Sequence, residues 1–98
     1  MSNCSIALQI LPMGTDQETT LKVVDSVIAF IASKTDQYEV AAFETTIQGD
    51  YDELMPILKE AIQIASKSHH KIFTNVKISY DTKGPVLTIE DKTTKHRH

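Results

Sequence analysis

A single cysteine, Cys4, stands in this chain, so no intrachain disulfide can form and a cross-linked secreted scaffold is excluded. The only arginine is Arg97, which removes any arginine-built anion loop of the acylphosphatase kind. Ten Lys and Arg against thirteen Asp and Glu give a net charge of −3, and the basic stripe that a nucleic-acid partner requires is missing. No run approaches the ~18 consecutive apolar residues of a membrane span, so no membrane partner is expected. The first residues lack a basic stretch followed by an apolar core, and the expected setting is the cytoplasm. With three glycines and three prolines there is no linker or low-complexity segment. The 98 residues are expected to form one domain, with 92–98, including the basic end Lys95-His-Arg-His98, as a disordered tail.

Residues able to break bonds are equally scarce. Cys4 sits at a strand start without an evident base and reads as a small core residue. His69-His70 is an adjacent pair in a loop, lacking metal-ligand spacing and a nearby Cys or carboxylate cluster, and His96 and His98 belong to the tail. Glu44 and Glu53 are two carboxylates of a kind that occurs often by chance. No enzyme activity, metal or cofactor is expected.

What is present is a regular order of elements. Cys4 to Leu11 alternates as a strand with Cys4, Ile6, Leu8 and Ile10 on one face, and Pro12-Met-Gly14 ends it. Thr15 followed by Glu18 is a capping pattern, and Leu21, Val24, Val27, Ile28 and Ile31 recur at helical spacing. Tyr38 to Glu44 reads as a second strand and Thr45 to Gln48 as a short third. Asp50 with Glu53 repeats the capping pattern before a second amphipathic helix carrying Leu54, Leu58, Ala61, Ile62 and Ala65. Pro56 conflicts with a cap at Asp50, since past the first turn it deletes a hydrogen bond; the helix either starts later or kinks. Lys71 to Tyr80 is a clear strand, Asp81 to Pro85 a turn, and Val86 to Glu90 is expected to return as a further strand. The α+β order β-α-β-β-α-β is that of the ferredoxin-like fold: an antiparallel sheet with two helices on one face, here with a C-terminal extra strand.

Two helices cover one face of such a sheet. Ile6, Leu8, Ile10, Ile72, Val76 and Ile78 form the natural covered set. The other face would carry Ser5, Ala7, Gln9, Ala41, Phe43, Phe73, Asn75, Lys77 and Ser79, with one charge and two phenylalanines. Such a face fits a subunit interface, giving a homodimer or homotetramer, with a ligand pocket lined by Phe43, Phe73, Gln9 and Asn75. A weakly polar surface without a partner fits the same pattern.

The stretch Tyr38 to Asp50 carries the strongest functional signal. Thr45, Thr46 and Gln48 cluster at a strand reversal beside Phe43, and neutral hydrogen-bonding groups beside an aromatic suit recognition of a small polar heterocycle. On the residues alone, two β-forming threonines in a hairpin explain the pattern equally well.

In the order Ile6 to Gly14, Tyr38-Glu-Val-Ala-Ala-Phe-Glu-Thr-Thr-Ile-Gln-Gly-Asp50, Asp52-Glu-Leu-Met55, Ile72 to Tyr80 and Leu87-Thr-Ile-Glu-Asp-Lys92, the chain resembles the YkoF-like thiamine-binding protein family over nearly its full length. The resemblance implies a ferredoxin-like protein that binds thiamine or its hydroxymethylpyrimidine moiety without catalysis, for storage, transport or sensing. In that reading Gln48 or Asn75 reads the aminopyrimidine edge, Thr45 and Thr46 add hydroxyl bonds, and Phe43 or Phe73 stacks on the ring. Two departures stand out: the bend carries Ala42-Phe-Glu44 where the family has Pro with Met-Gly or Ser-Asn, and Gln48 replaces a glutamate. Glu44 is close enough in sequence to supply the charge that Gln48 lacks. The opposing expectation is a self-associating regulatory or protein-interaction domain with no small-molecule ligand.

Overall fold

The structure, a computed structural model, describes residues 2–94. The elements are β1 (Cys4–Pro12), α1 (Gln17–Lys34), β2 (Tyr38–Val40), β3 (Thr45–Gly49), α2 (Tyr51–Ser68), β4 (Ile72–Tyr80) and α3 (Ile89–Thr93). The strands form one sheet in the order β2-β3-β1-β4, every pair antiparallel, which is the ferredoxin-like α+β arrangement.

β1 is bonded on both sides, and its register sets the faces. Ile6 lies opposite Ile47 of β3 and Ile78 of β4, and Leu8 opposite Thr45 and Val76. Cys4, Ile6 and Ile47 are fully buried beneath the helices with Val23, Val27 and Ile31 of α1 and Leu54, Ile57, Leu58, Ala61 and Ala65 of α2. The α1 stripe is centred one residue away from its expected position: Val23 is in the core, whereas Leu21 is exposed. The covered face also ends short of the edge strand. Val76, Ile78 and Tyr80 share the helix side with Ile6 and Leu8 yet stay partly exposed, because β4 lies at the margin of the layer.

The helix starts explain two sequence puzzles. Asp16, not Thr15, caps α1, its carboxylate accepting from the Thr19 N–H at 2.7 Å. α2 does begin after Asp50, whose carbonyl accepts from Leu54 N–H at 2.9 Å, but the Asp50 side chain makes no capping bond. Asn3 takes that role from β1's approach, its Oδ1 accepting the Tyr51 N–H at 2.9 Å. Pro56 sits inside α2 on the exposed side, so the carbonyl of Asp52 that loses its donor is on an exposed residue.

Three expectations are corrected. The second strand stops at Val40 rather than Glu44, because Ala41 N–H bonds the Glu44 carbonyl at 3.0 Å and turns the chain over Ala42 and Phe43. Val86 to Glu90 is not a strand. Thr88 and Asp91 form a reciprocal capping box, each side chain bonding the other's backbone N–H at 3.0 Å, and α3 follows. Lys92 and Thr93 therefore belong to a helix, not to a tail; residues 95–98 lie outside the described residues.

Ile6→Ala should cost about 2–5 kcal/mol, seen as a lower urea midpoint at unchanged slope, since it empties the centre of the core. Backbone N–H bonds from Thr19 and Thr88 hold the Asp16 and Asp91 carboxyls below the ordinary carboxylate range. A depressed folded pKa contributes stability above the unfolded value of about 4, lost as pH falls through the folded value. The protection of the α3 amides, corrected for their intrinsic exchange rates, should therefore fall as the pH drops below about 4; an Asp91→Asn protein should lack that acid-dependent step.

Candidate ligand-binding site

β3 positions the residues of the bend through its period-two alternation. Thr45, opposite Leu8, points to the helix side and is buried; Thr46, opposite Ala7, points to the uncovered side. The two threonines expected to act together therefore serve opposite faces of the sheet.

A cavity of about 140 Å³ lies on the helix side, under the bend. Leu8, Ile10 and Thr45 line it from the sheet, Val24, Val27 and Ile28 from α1, and Val40 to Glu44 from the reversal. Gln9 and Leu11 complete its wall. The side-chain hydroxyl in its lining, that of the buried residue Thr45, takes part in none of the hydrogen bonds among the described residues and is accessible from the cavity. Phe43 stands at the tip of the bend, on the rim of this cavity, with 80% of its surface exposed, an unusual position for a phenylalanine.

A second depression, of about 300 Å³, lies on the uncovered face. Ser5, Ala7, Thr46, Lys77, Ile78, Ser79 and Lys92 line it together with Glu44, which borders both cavities. Glu44 crosses this face to pair with Lys77, Nζ to Oε1 at 3.2 Å.

The expected site residues thus divide. Phe43, Glu44 and Thr45 meet at the helix-side cavity, which Gln9 borders along β1 while its side chain lies on the uncovered face. Thr46 joins Glu44 on the other face. Asn75 donates to Gln9 Oε1 at 3.1 Å on the uncovered face, and Phe73 lies one rung beyond, opposite Leu11 and half-exposed. Gln48 is buried and engaged at both ends: its Nε2 donates to Gln37 Oε1 at 2.8 Å, and its Oε1 accepts the Ile89 N–H at 2.8 Å. It fastens α3 to the sheet. Ala41 and Phe43, expected on the uncovered face, belong to the reversal and the helix-side cavity.

Sequence reasoning missed the α1 wall, although the helical spacing of Val24, Val27 and Ile28 had marked that stripe. It also missed Lys77 as partner of Glu44, for which no local pattern exists.

Bond-breaking groups are poorly placed. Cys4 is fully buried, and burial pushes its thiol up, away from the reactive thiolate. His69 is not a free loop residue: its Nε2 lies 2.6 Å from the Met13 carbonyl. Among the described residues no three of His, Cys, Asp and Glu gather as a metal-binding set, and no helix is long and apolar enough to cross a membrane.

The fold and the lining define a small ferredoxin-like α+β protein with a mostly aliphatic cavity at one strand reversal. The sequence profile of the thiamine-binding protein family matches residues 6–97, and the chain belongs to that family. It is 36% identical over 98 residues to the UPF0045 protein CPE1503 of Clostridium perfringens, covering 99% of this chain and 100% of that one. Protein SP2199 of Streptococcus pneumoniae has the same fold at 39% identity, with a TM-score of 0.81 over 96% of this chain and 99% of its own. TM0486 of Thermotoga maritima, described as a candidate thiamine biosynthesis/salvage protein, is 26% identical with a TM-score of 0.84, covering 96% and 98%.

Gln48→Leu should destabilise by about 1–3 kcal/mol, because it leaves the buried Ile89 N–H without an acceptor. Urea unfolding measures the loss, and faster exchange at the Ile89 amide identifies its source.

Proposed function

We propose that this chain binds thiamine or its hydroxymethylpyrimidine moiety without transforming it, and that the ring enters the cavity beneath the bend. The observation that carries the reading is the size and lining of that cavity. A void of about 150 Å³ accepts a benzene-sized ring, and this one measures about 140 Å³ with aliphatic walls. The pyrimidine would fit inside while the thiazolium stays at the mouth.

Each polar group has a role in that pose. The Thr45 hydroxyl, without a hydrogen bond inside the described structure, can give or accept one at the ring edge. Phe43 closes over the ring face, which would remove its exposed surface from water. Glu44 borders the cavity, and its carboxylate, paired with Lys77 on the other face, can turn to the cationic thiazolium and supply the charge that Gln48 lacks. Membership of the thiamine-binding protein family supports the ligand class. Binding without chemistry is supported by the inert placement of Cys4.

A cytoplasmic homodimer or homotetramer belongs to the same reading. The single buried thiol suits a reducing compartment, and Phe73, Ile78 and Tyr80, each nearly half-exposed, offer apolar surface for association. The interaction-domain alternative draws on that same surface.

Titration calorimetry separates the two. Heat is expected with both thiamine and hydroxymethylpyrimidine; a folded protein giving none with either would be an interaction domain. Thr45→Val should weaken binding by about 0.5–1.5 kcal/mol, the worth of one hydrogen bond, and Phe43→Ala by a similar amount from lost stacking. Thr46→Val, on the other face, should leave thiamine affinity intact. The reverse order of the two threonine variants would move the ring to the uncovered side.

A further inference from the structure

The depression on the uncovered face remains unassigned by the ring site, and its lining is of a different kind. Lys77 and Lys92 reach it from β4 and α3, and three hydroxyl residues, Ser5, Thr46 and Ser79, form its floor. These three come from adjacent strands: Ser5 of β1 lies directly opposite Ser79 of β4, and Thr46 of β3 opposite the neighbouring Ala7. With Glu44 as the only carboxylate on the wall, the lining carries an excess of positive charge in a chain whose net charge is −3.

Two observations mark this lining as more than a solvated sheet face. Ser5 is only 5% exposed, yet its hydroxyl enters none of the hydrogen bonds among the described residues. It is not sealed away either, since among the described residues no buried side-chain oxygen lacks a partner, so its oxygen opens onto the depression. Lys92, for its part, has no acidic partner among the described residues, although α3 also carries Glu90 and Asp91. Asp91 is turned back onto the Thr88 N–H. The Gln48 bond to Ile89 anchors the helix that presents Lys92, so the lysine is held over the sheet by a fixed element.

We propose that this depression binds a phosphoryl group, with the Lys77 and Lys92 ammoniums supplying charge and the Ser5, Thr46 and Ser79 hydroxyls donating to its oxygens. Hydroxyls can turn to donate to any acceptor, and three of them beneath two cations match the acceptor-only oxygens of a phosphoryl dianion. A neutral sugar or amide ligand would leave Lys92 without a counter-charge. Lys77 is already paired with Glu44 at 3.2 Å, so an arriving dianion shares that ammonium while Lys92 provides the unshared charge. Free phosphate and a phosphate monoester carry the same group, and either can be the source. The proposal stands apart from the ring site, with which it shares only Glu44.

The test titrates the full chain at low salt with inorganic phosphate, with thiamine and with thiamine monophosphate, following backbone amide shifts. Phosphate is expected to move the amides of Ser5, Thr46 and Ser79, and Lys92→Ala to weaken phosphate binding about tenfold while leaving thiamine affinity unchanged. Ser5→Ala, which keeps the fold and removes one donor, should weaken it by a smaller factor. Binding should strengthen from pH 5.5 to pH 7.5 as the phosphate loses its second proton (pKa about 6). It should also weaken with added salt. Thiamine monophosphate binding tighter than thiamine, with the difference lost in Lys92→Ala, identifies the ester as the source; equal affinities with phosphate still bound identify the free ion. Thiamine failing to bind while phosphate shifts Ser5 overturns the ring reading alone. No shifts at millimolar phosphate, shifts confined to residues outside the depression, or wild-type phosphate affinity in Lys92→Ala overturns the phosphoryl site.

Discussion

The strict alternation of β1 is the constraint on which the rest depends. Its buried residues, Cys4, Ile6, Leu8 and Ile10, put 4% or less of their surface in water, while Ala7 and Gln9 between them face the other way. Because β1 is paired on both sides, a slip of one residue would turn the polar set into the core and disrupt both neighbours. That penalty fixes Ile47 and Ile78 opposite Ile6, and through them the positions of every residue on β3 and β4. The helices then need only an apolar stripe each, and both have one.

Two surfaces with different chemistry follow from that single register. Consecutive residues of β3 feed opposite sides, Thr45 an aliphatic cavity and Thr46 a hydroxyl-rich depression. The reversal after Val40 brings Glu44 to the border of both, and its pairing with Lys77 ties the bend to the far strand across the sheet. With Lys77 largely in water, such a pair is worth little in stability. Its consequence is placement: it lays the Glu44 carboxylate over the uncovered face, at the end of a bend that borders both cavities.

Sequence patterns of period two and 3.6 sufficed for four strands, two long helices and their order, since each element is long or strongly alternating. They failed where two patterns overlap. Val86 to Glu90 alternates well enough for a strand, but Thr88 and Asp91 also stand at capping spacing, and with Pro85 upstream the local hydrogen bonds decide for a helix. The bend failed for another reason. Whether Thr45 or Thr46 faces the helices depends on where the turn absorbs residues, and a reversal over Ala42 and Phe43 without glycine carries no recognisable turn signature. The candidate residues Phe43, Glu44 and Thr45 were legible as a group, but the side of the sheet they border was not.

Gln48 shows how a departure from a family pattern can be settled by its neighbours. Where the resembling family carries glutamate, this chain needs a group that donates to Gln37 Oε1 and accepts from Ile89 N–H at once. An amide does both, whereas a carboxylate only accepts and would set its charge against the Gln37 carbonyl oxygen. Gln37 and Gln48 are further joined through the backbone, Gln48 N–H to Gln37 carbonyl at 3.1 Å, so the side-chain bond reinforces the junction where β2 enters the sheet. The neutral residue is thus required by the strand start on one side and α3 on the other. Its missing charge is no loss to the aliphatic cavity, whose lining does not include it.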